Sequence, residues 1–282
     1  MATVGLLHPG EMGAAVGGCL VSVGHEVLWD PAGRSRATTG RALAAELTGV
    51  KFDRLIAKSS VIFSVCPPHA ALDIAHQVAA AGYAGLYVDA NAISVATAEQ
   101  VAAVVTAAGA SYVDGGIIGQ PPEVAGHTRL YLSGPRASEV RALFGRSPLD
   151  ARIVEGPLYA ASTVKMAYAA WTKGSSALLL AARALARAGG VERTLLAEWQ
   201  LSQPDLTAQS ERSAAAAAAK GWRWIGEMEE IAASMSAAGL PDGFHEAAAE
   251  VFDRASRADV PAGRKTATTA TETLDTIMSA LT

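Results

Sequence analysis

Between residues 2 and 155, short apolar runs alternate with alanine-rich stretches whose apolar positions recur every three or four residues. The runs ATVGLL, HEVLW, SVIFSVC, GLYVDA, SYVDGG, RLYLSG and RIVE read as strands, and the stretches 11–23, 39–47, 69–81, 96–108 and 136–145 as helices. Strand, helix, strand at this spacing predicts a parallel sheet with crossover helices. Runs apolar at nearly every position, such as VIFSV, predict a sheet covered on both faces. From Gly156 the strand pattern stops. Helices are predicted over 158–188, 192–202, 204–219, 223–238, 243–257 and 268–280, with stops at Gly189-Gly190, Gly221 and Gly239-Leu240-Pro241. Inside that pattern, the six alanines at 214–219 read as a surface for close helix packing.

Composition narrows the class. Half of the 282 residues are apolar and 18% are charged, enough for a sizeable core. A net charge of −4 without a basic cluster gives nucleic acid or an anionic membrane little to hold, so neither is expected as a partner. The two cysteines, Cys19 and Cys66, lie far apart in apolar stretches and read as small hydrophobes of a reducing compartment. No basic-then-apolar leader and no run of 18 uncharged apolar residues is visible, so a cytoplasmic protein is expected. The six histidines sit singly, and no metal-ligand spacing appears.

The stretch GLLHPGEMG at 5–13 changes the picture. It follows a strand pattern and opens a helical one, which is where a dinucleotide-binding loop places its glycines. Gly10 lets a pyrophosphate approach the backbone, and Gly13 lets the helix sit close to the sheet. The amides of Glu11, Met12 and Gly13 then face the phosphates with the helix dipole behind them. Pro9 offers no N–H, and by the rule for residues preceding proline it holds His8 extended. His8 stands where such loops carry their first glycine. The second strand ends at Asp30, which suits the ribose hydroxyls of NAD; the following PAGRSR offers Arg34, Ser35 and Arg36 to a 2′-phosphate instead. NADP is the expected cofactor, with NAD the alternative and solvated loop arginines the plain one. The organisation expected is an α/β Rossmann-type domain at 1–155 followed by an all-α domain at 156–282, the latter for substrate and dimerisation.

Between Glu155 and Lys173 the only charged residue is Lys165. Helical spacing puts Ser162, Tyr168, Ala169 and Thr172 beside it. A lysine in apolar surroundings has its pKa pushed down towards the range useful for proton transfer; the alternative is a stem lying on apolar surface with its amine in water.

Several motifs occur together in order: HPGEMG, then Asp89-Ala-Asn91-Ala-Ile-Ser94, then Asp114-Gly-Gly-Ile-Ile-Gly119, then Lys165. In this the chain resembles the β-hydroxyacid dehydrogenases, relatives of 6-phosphogluconate dehydrogenase. The run GEMEEIAASMSAAGLPDGFHEAAAEVF at 226–252 resembles a less-characterised branch with its own helical domain. The resemblance implies hydride transfer to or from a small hydroxy or keto compound, with Lys165 as general acid or base. It implies that Asn91, Cys66 and Pro67 lie at the cofactor and that Ser94 and Gly119 meet the substrate. Departures are His8, Val95 where the family has proline, a glycine segment lacking its serine, and Tyr168 and Ala169 where asparagine is frequent. Tyr168 stands in for the asparagine or is a buried core tyrosine; His245, after the GLPDG turn, is a substrate contact or a structural histidine. Lys173 is expected in solvent, with the cleft that Lys165 faces as the alternative, Glu227, Glu229 and Glu230 on a solvated helix face, and Trp222 and Trp224 as packing anchors, with substrate lining as the alternative. Relatives of this architecture also reduce imines, and a non-catalytic NADPH-binding sensor is the reading from another class. A helix of about 30 residues, about 45 Å long, exceeds what this domain buries alone, so a homodimer with interleaved helical domains is expected.

Overall fold

The computed structural model describes residues 1–258 and 267–282. Contacts divide the chain into two units, Met1–Met166 and Ala167–Thr282.

The first unit is built on one eight-stranded sheet of order β3-β2-β1-β4-β5-β6-β7-β8. Its strands are β1 (Thr3–Leu7), β2 (Glu26–Trp29), β3 (Thr48–Gly49), β4 (Val61–Ser64), β5 (Leu86–Asp89), β6 (Ser111–Ile118), β7 (Thr128–Ser133) and β8 (Leu149–Ile153). Helices α1 (Glu11–Ser22), α2 (Arg36–Ala44), α3 (Phe52–Lys58), α4 (Ala71–Ala80), α5 (Val95–Ala107) and α6 (Ala137–Ala142) connect them. This is the expected Rossmann-type arrangement. Side chains alternate between two cores: Val61, Phe63, Leu86 and Val88 enter one, Ile62 and Tyr87 the other. That alternation within fully apolar runs is what a sheet covered on both faces requires.

Three expectations about the sheet need correction here. The sheet is not wholly parallel, because β7 runs antiparallel to β6. Residues 119–127 are too few for a crossover, which takes a dozen or more, and positive φ at Gly119 and Gly126 turns the chain back instead. The pattern also missed α3 and the two-residue β3, and it placed the last strand late, since β8 begins at Leu149.

Helix α7 (Ala160–Ala188) carries the division between the units, and α8 (Glu192–Ser202), α9 (Leu206–Ala237), α10 (Gly243–Arg257) and α11 (Ala267–Leu281) follow. The two helices expected at 204–219 and 223–238 are the single helix α9. Gly221 therefore does not stop a helix. It is buried, and a Cβ there would lie 3.2 Å from the Phe252 carbonyl oxygen, so its missing side chain lets α10 approach. Ser210, Ala214, Ala217 and Gly221 form one buried stripe of small residues at helical spacing. Arg183 of α7 is buried in this unit, where it donates to Glu192 Oε1 at 2.7 Å and Ser210 Oγ at 2.6 Å. Among the described residues no helix is long and apolar enough to cross a membrane.

Candidate active site

The loop between β1 and α1 makes its turn at His8-Pro9-Gly10, where the Gly10 amide donates to the His8 carbonyl at 2.8 Å. A three-residue turn of this kind suits the fixed φ of proline at its centre. His8 itself has φ +68, so it is not extended as the proline rule predicted. Closing the turn overrides that rule and leaves an imidazole in the left-handed region, where a glycine would sit without strain.

The rest of the loop brings a helix start close to the strand that precedes it. A Cβ on Gly13 would lie 2.3 Å from the His8 carbonyl oxygen, so only glycine lets α1 start this close to β1. A Cβ on Gly10 would meet nothing within 4 Å, and the space it would fill is the approach to the helix N-terminus. The ladder of α1 begins with the Ala14 amide on the Gly10 carbonyl, so the amides ahead of it, those of Met12 and Gly13 among them, point into the loop. Pro9 is buried beneath, and Glu11 is exposed in the first turn.

The segment after β2 is preformed. The Asp30 carboxylate accepts the Ala32 amide at 3.0 Å, and the Arg34 amide closes a turn on Pro31 with Gly33 at φ +70. Asp30 is thereby engaged in its own turn. Ser35 caps α2, its hydroxyl accepting the Thr38 amide at 3.2 Å, and Arg36 is exposed. Arg34 is half-buried, and its Nε has no hydrogen-bond partner. His8 Nδ1 is likewise buried without a partner. Burial first, and then the Arg34 charge, pull the His8 pKa down to about 4, so the two side chains sit within each other's field.

Asn91 lies beneath this surface with 2% exposure. Its oxygen accepts the Cys66 amide at 2.6 Å and its nitrogen donates to Ser64 Oγ at 3.1 Å, tying the ends of β4 and β5 together. Cys66 is half-buried; burial pushes its thiol up to about 12, the Ser64 hydroxyl working the other way, so it contributes shape and not a thiolate. Pro67 is exposed beside it. Ser94 is buried and caps α5 through the Thr97 amide at 3.2 Å. Val95, which follows it, is the first residue of that helix.

Lys165 is placed by a network the sequence did not announce. Buried Asp114, at the middle of β6, accepts the Ser162 amide at 2.8 Å, the Ser162 hydroxyl, and the Ser133 hydroxyl at 2.9 Å. Ser133 in turn accepts the Ala161 amide at 2.9 Å. A carboxylate at the amides of a first helical turn also meets the positive end of the helix dipole. Burial raises the Asp114 pKa, and the Ser162 bonds oppose the rise. Gly116 completes the fit, since a Cβ there would lie 2.8 Å from both the Ala161 carbonyl oxygen and Lys165 Cβ. The glycines of Asp114-Gly-Gly-Ile-Ile-Gly119 are thus contacts for α7 and, at Gly119 with φ +127, the exit turn of β6. Asp114 and Ser162 stood in the sequence motifs; nothing in the sequence singled out Ser133.

In the helical unit, Tyr168 is 48% exposed, which removes the buried-core reading. His245 is buried, with Nε2 at 3.3 Å from the Ala170 carbonyl oxygen and Nδ1 without a partner. A Cβ on Gly174 would lie 3.1 Å from that ring, so the glycine makes room for it. Lys173 is not in solvent and Glu227 is not on a solvated face. They pair with each other in partial burial, with Lys173 Nζ 5.7 Å from the centre of the Trp224 ring. Trp224 packs edge-on to Phe252, whereas Trp222 is exposed. The expectation failed because a pairing across α7 and α9 leaves no local sequence signal.

A family model described as a domain of unknown function, DUF1932, matches residues 186–255. Comparison with curated proteins finds no match in sequence. Among solved structures, MTH1747, a conserved protein of unknown function described as structurally similar to 3-hydroxyacid dehydrogenases, is 25% identical, with TM-score 0.65 over 90% of this chain and 96% of its own. The 3-hydroxyisobutyrate dehydrogenase of Mycobacterium tuberculosis, solved with L-serine, is 18% identical, with TM-score 0.66 over 90% and 93%. A reductive aminase from Aspergillus terreus, in complex with NADPH4, cyclohexanone and allyl amine, is 20% identical, with TM-score 0.55 over 91% and 94%. The chain therefore has the two-domain fold of the 3-hydroxyacid dehydrogenases.

Proposed function

We propose that the chain is an NADP(H)-dependent oxidoreductase acting on a small hydroxy or keto compound, with Lys165 as general acid or base. The observation that carries this reading is the fixation of Lys165. Asp114, Ser133 and Gly116 hold the first turn of α7 against β6, in the same unit as the glycine loop. That much buried hydrogen bonding spent on one turn suits a side chain whose position matters to within about 1 Å. The loop residues fit a dinucleotide: Gly10 leaves the approach open, Gly13 brings the helix start close, and Arg34 has an unpartnered nitrogen for a 2′-phosphate. Asp30, already accepting the Ala32 amide, is less suited to ribose hydroxyls, which favours NADP over NAD.

When bound, the nicotinamide supplies or accepts the hydride. Lys165 gives a proton to the oxygen of the carbonyl being reduced, or takes one from the hydroxyl being oxidised. A positioned group of this kind contributes about 10²–10⁴ in rate. Asn91 and Cys66 shape the floor of the cofactor site, and Ser94 and Gly119 are carried as substrate contacts beside their roles in cap and turn. A shared fold with a 3-hydroxyisobutyrate dehydrogenase and an NADPH-bound reductive aminase supports the reaction class.

The test is cofactor oxidation across carbonyl and imine substrates with wild type and Lys165→Met. Carbonyl turnover should fall by at least about 10²-fold in the variant with cofactor affinity retained. Turnover unaffected by the change removes the assignment.

A further inference from the structure

His8 is the one residue of the glycine loop whose conformation argues against its own side chain. At φ +68 a glycine is comfortable, whereas a β-carbon is strained. Strain at a ligand-binding loop points to a use for the side chain that causes it. The use is visible in what surrounds the ring. Its Nδ1 is buried and has no hydrogen-bond partner. Arg34, delivered by the Pro31–Arg34 turn, has a buried Nε that is also without a partner. β1 and β2 are adjacent and parallel, so the loop carrying His8 and the segment carrying Arg34 leave the sheet at the same edge, and the Arg34 charge is felt at His8. Two unsatisfied buried groups from separate loops are expected to find a partner in the functional state. One belongs to a permanent cation and the other to an uncharged ring, so that partner is an anion rich in acceptor oxygens.

We propose that His8 is a specificity residue: together with Arg34 it clamps the phosphomonoester of a 2′-phosphorylated dinucleotide. The inference rests on the nicotinamide-cofactor reading above and assigns His8 a role that loop glycines cannot perform. Burial and the Arg34 charge keep the imidazole neutral near pH 7. It therefore acts as a hydrogen-bond donor and leaves the charge to Arg34. A dinucleotide without the 2′-phosphate gives neither nitrogen a partner, and this is where discrimination arises.

The experiment measures dissociation constants of NADPH, NADH and adenosine 2′-phosphate by calorimetry for wild type, His8→Gly, His8→Asn and Arg34→Ala. Glycine accepts the local backbone, so His8→Gly folds, and retained NADH affinity confirms that the loop is intact. Expected is a loss of about tenfold to a hundredfold for NADPH and adenosine 2′-phosphate in His8→Gly, with NADH changed by less than about twofold. His8→Asn, which keeps a donor and tolerates positive φ, should recover part of the loss. Arg34→Ala should lose at least as much as His8→Gly for the same two ligands. Equal weakening of NADPH and NADH in His8→Gly, or NADPH binding unchanged, overturns the proposal while leaving the oxidoreductase reading standing. A wild type that binds no dinucleotide overturns both.

Discussion

A proton on His8 is disfavoured in the folded chain, and this has a consequence for stability without any ligand. Its pKa falls from an unfolded value of 6.5 to about 4, through burial first and the Arg34 charge second. Above pH 6.5 both states are neutral there and stability is unaffected. As pH drops below 6.5 the unfolded chain takes up a proton that the folded chain refuses, so stability declines until about pH 4. The ring is partly exposed, so screening reduces the effect to about 1 kcal/mol between pH 7 and 5. Melting of the ligand-free protein should therefore show a steeper loss for wild type than for His8→Gly over that interval, and parallel losses would refute the assignment. At this scale the legible features were those whose demand is on the backbone. The helix start after Gly10 and the close approach at Gly13 were readable because a strand-to-helix turn this tight leaves room for no side chain at position 13. The turn at His8 was not, because the proline rule for its neighbour pointed to extended backbone and only the Gly10-to-His8 hydrogen bond overrides it. The Lys173–Glu227 pair was equally hidden, since each residue alone reads as a solvated charge.

Elements show the same division between local and long-range demands. The glycine-rich end of β6 was read as a substrate segment, yet Gly115 and Gly116 are contact glycines. A Cβ at 115 would lie 2.8 Å from the Asp89 carbonyl oxygen, and one at 116 would press on α7 at Ala161 and Lys165. Gly116→Ala must move the first turn of α7 or bend β6. Overpacking of this kind costs about 1–3 kcal/mol. It also displaces the Lys165 side chain, and on the general acid or base role proposed for Lys165 a misplacement by about 1 Å is worth up to about 10²-fold in rate. The expected outcome is a kcat at least tenfold lower with NADPH affinity unchanged, because the glycine loop lies elsewhere on the sheet. A fall in NADPH affinity with kcat preserved would show that the segment serves the cofactor instead. Gly221 teaches the converse lesson. Its φ is ordinary for a helix, so glycine there marks an approaching helix rather than a terminus, and only the position of α10 distinguishes the two. Strand periods were legible at β1, β2 and β4–β7 because burial on both sheet faces writes itself into nearly every residue, whereas the exposed two-residue β3 carries no such mark. The direction of β7 was not, because it depends on the length of the connecting loop.

At the scale of the whole molecule, the reading that remains a proposal is the homodimer, and α7 supplies its physical argument. Trp171, Leu178 and Leu185 are 75%, 67% and 76% exposed, and they recur every seven residues. Seven residues fall short of two helical turns by only a fraction, so the three side chains share one face of a 29-residue helix. Tyr168, three residues before Trp171, extends the same stripe. Covering each of the three large side chains would contribute about 1.5–3 kcal/mol. Spread along a helix about 44 Å long, that is an elongated seam, and a second copy of the same helix matches it in length and character. Sedimentation at micromolar concentration should then give a dimer. Leu178→Glu combined with Leu185→Glu should shift it to monomer while helix content by circular dichroism stays within a few per cent, because both side chains already face outward. Buried Arg183 and its partners Glu192 and Ser210 lie on the other side of α7 and should hold the helical unit together in the variant. A monomeric wild type would leave the stripe without a use and would remove the reason for interleaved helical domains. A variant that stays dimeric would instead place the seam on another surface.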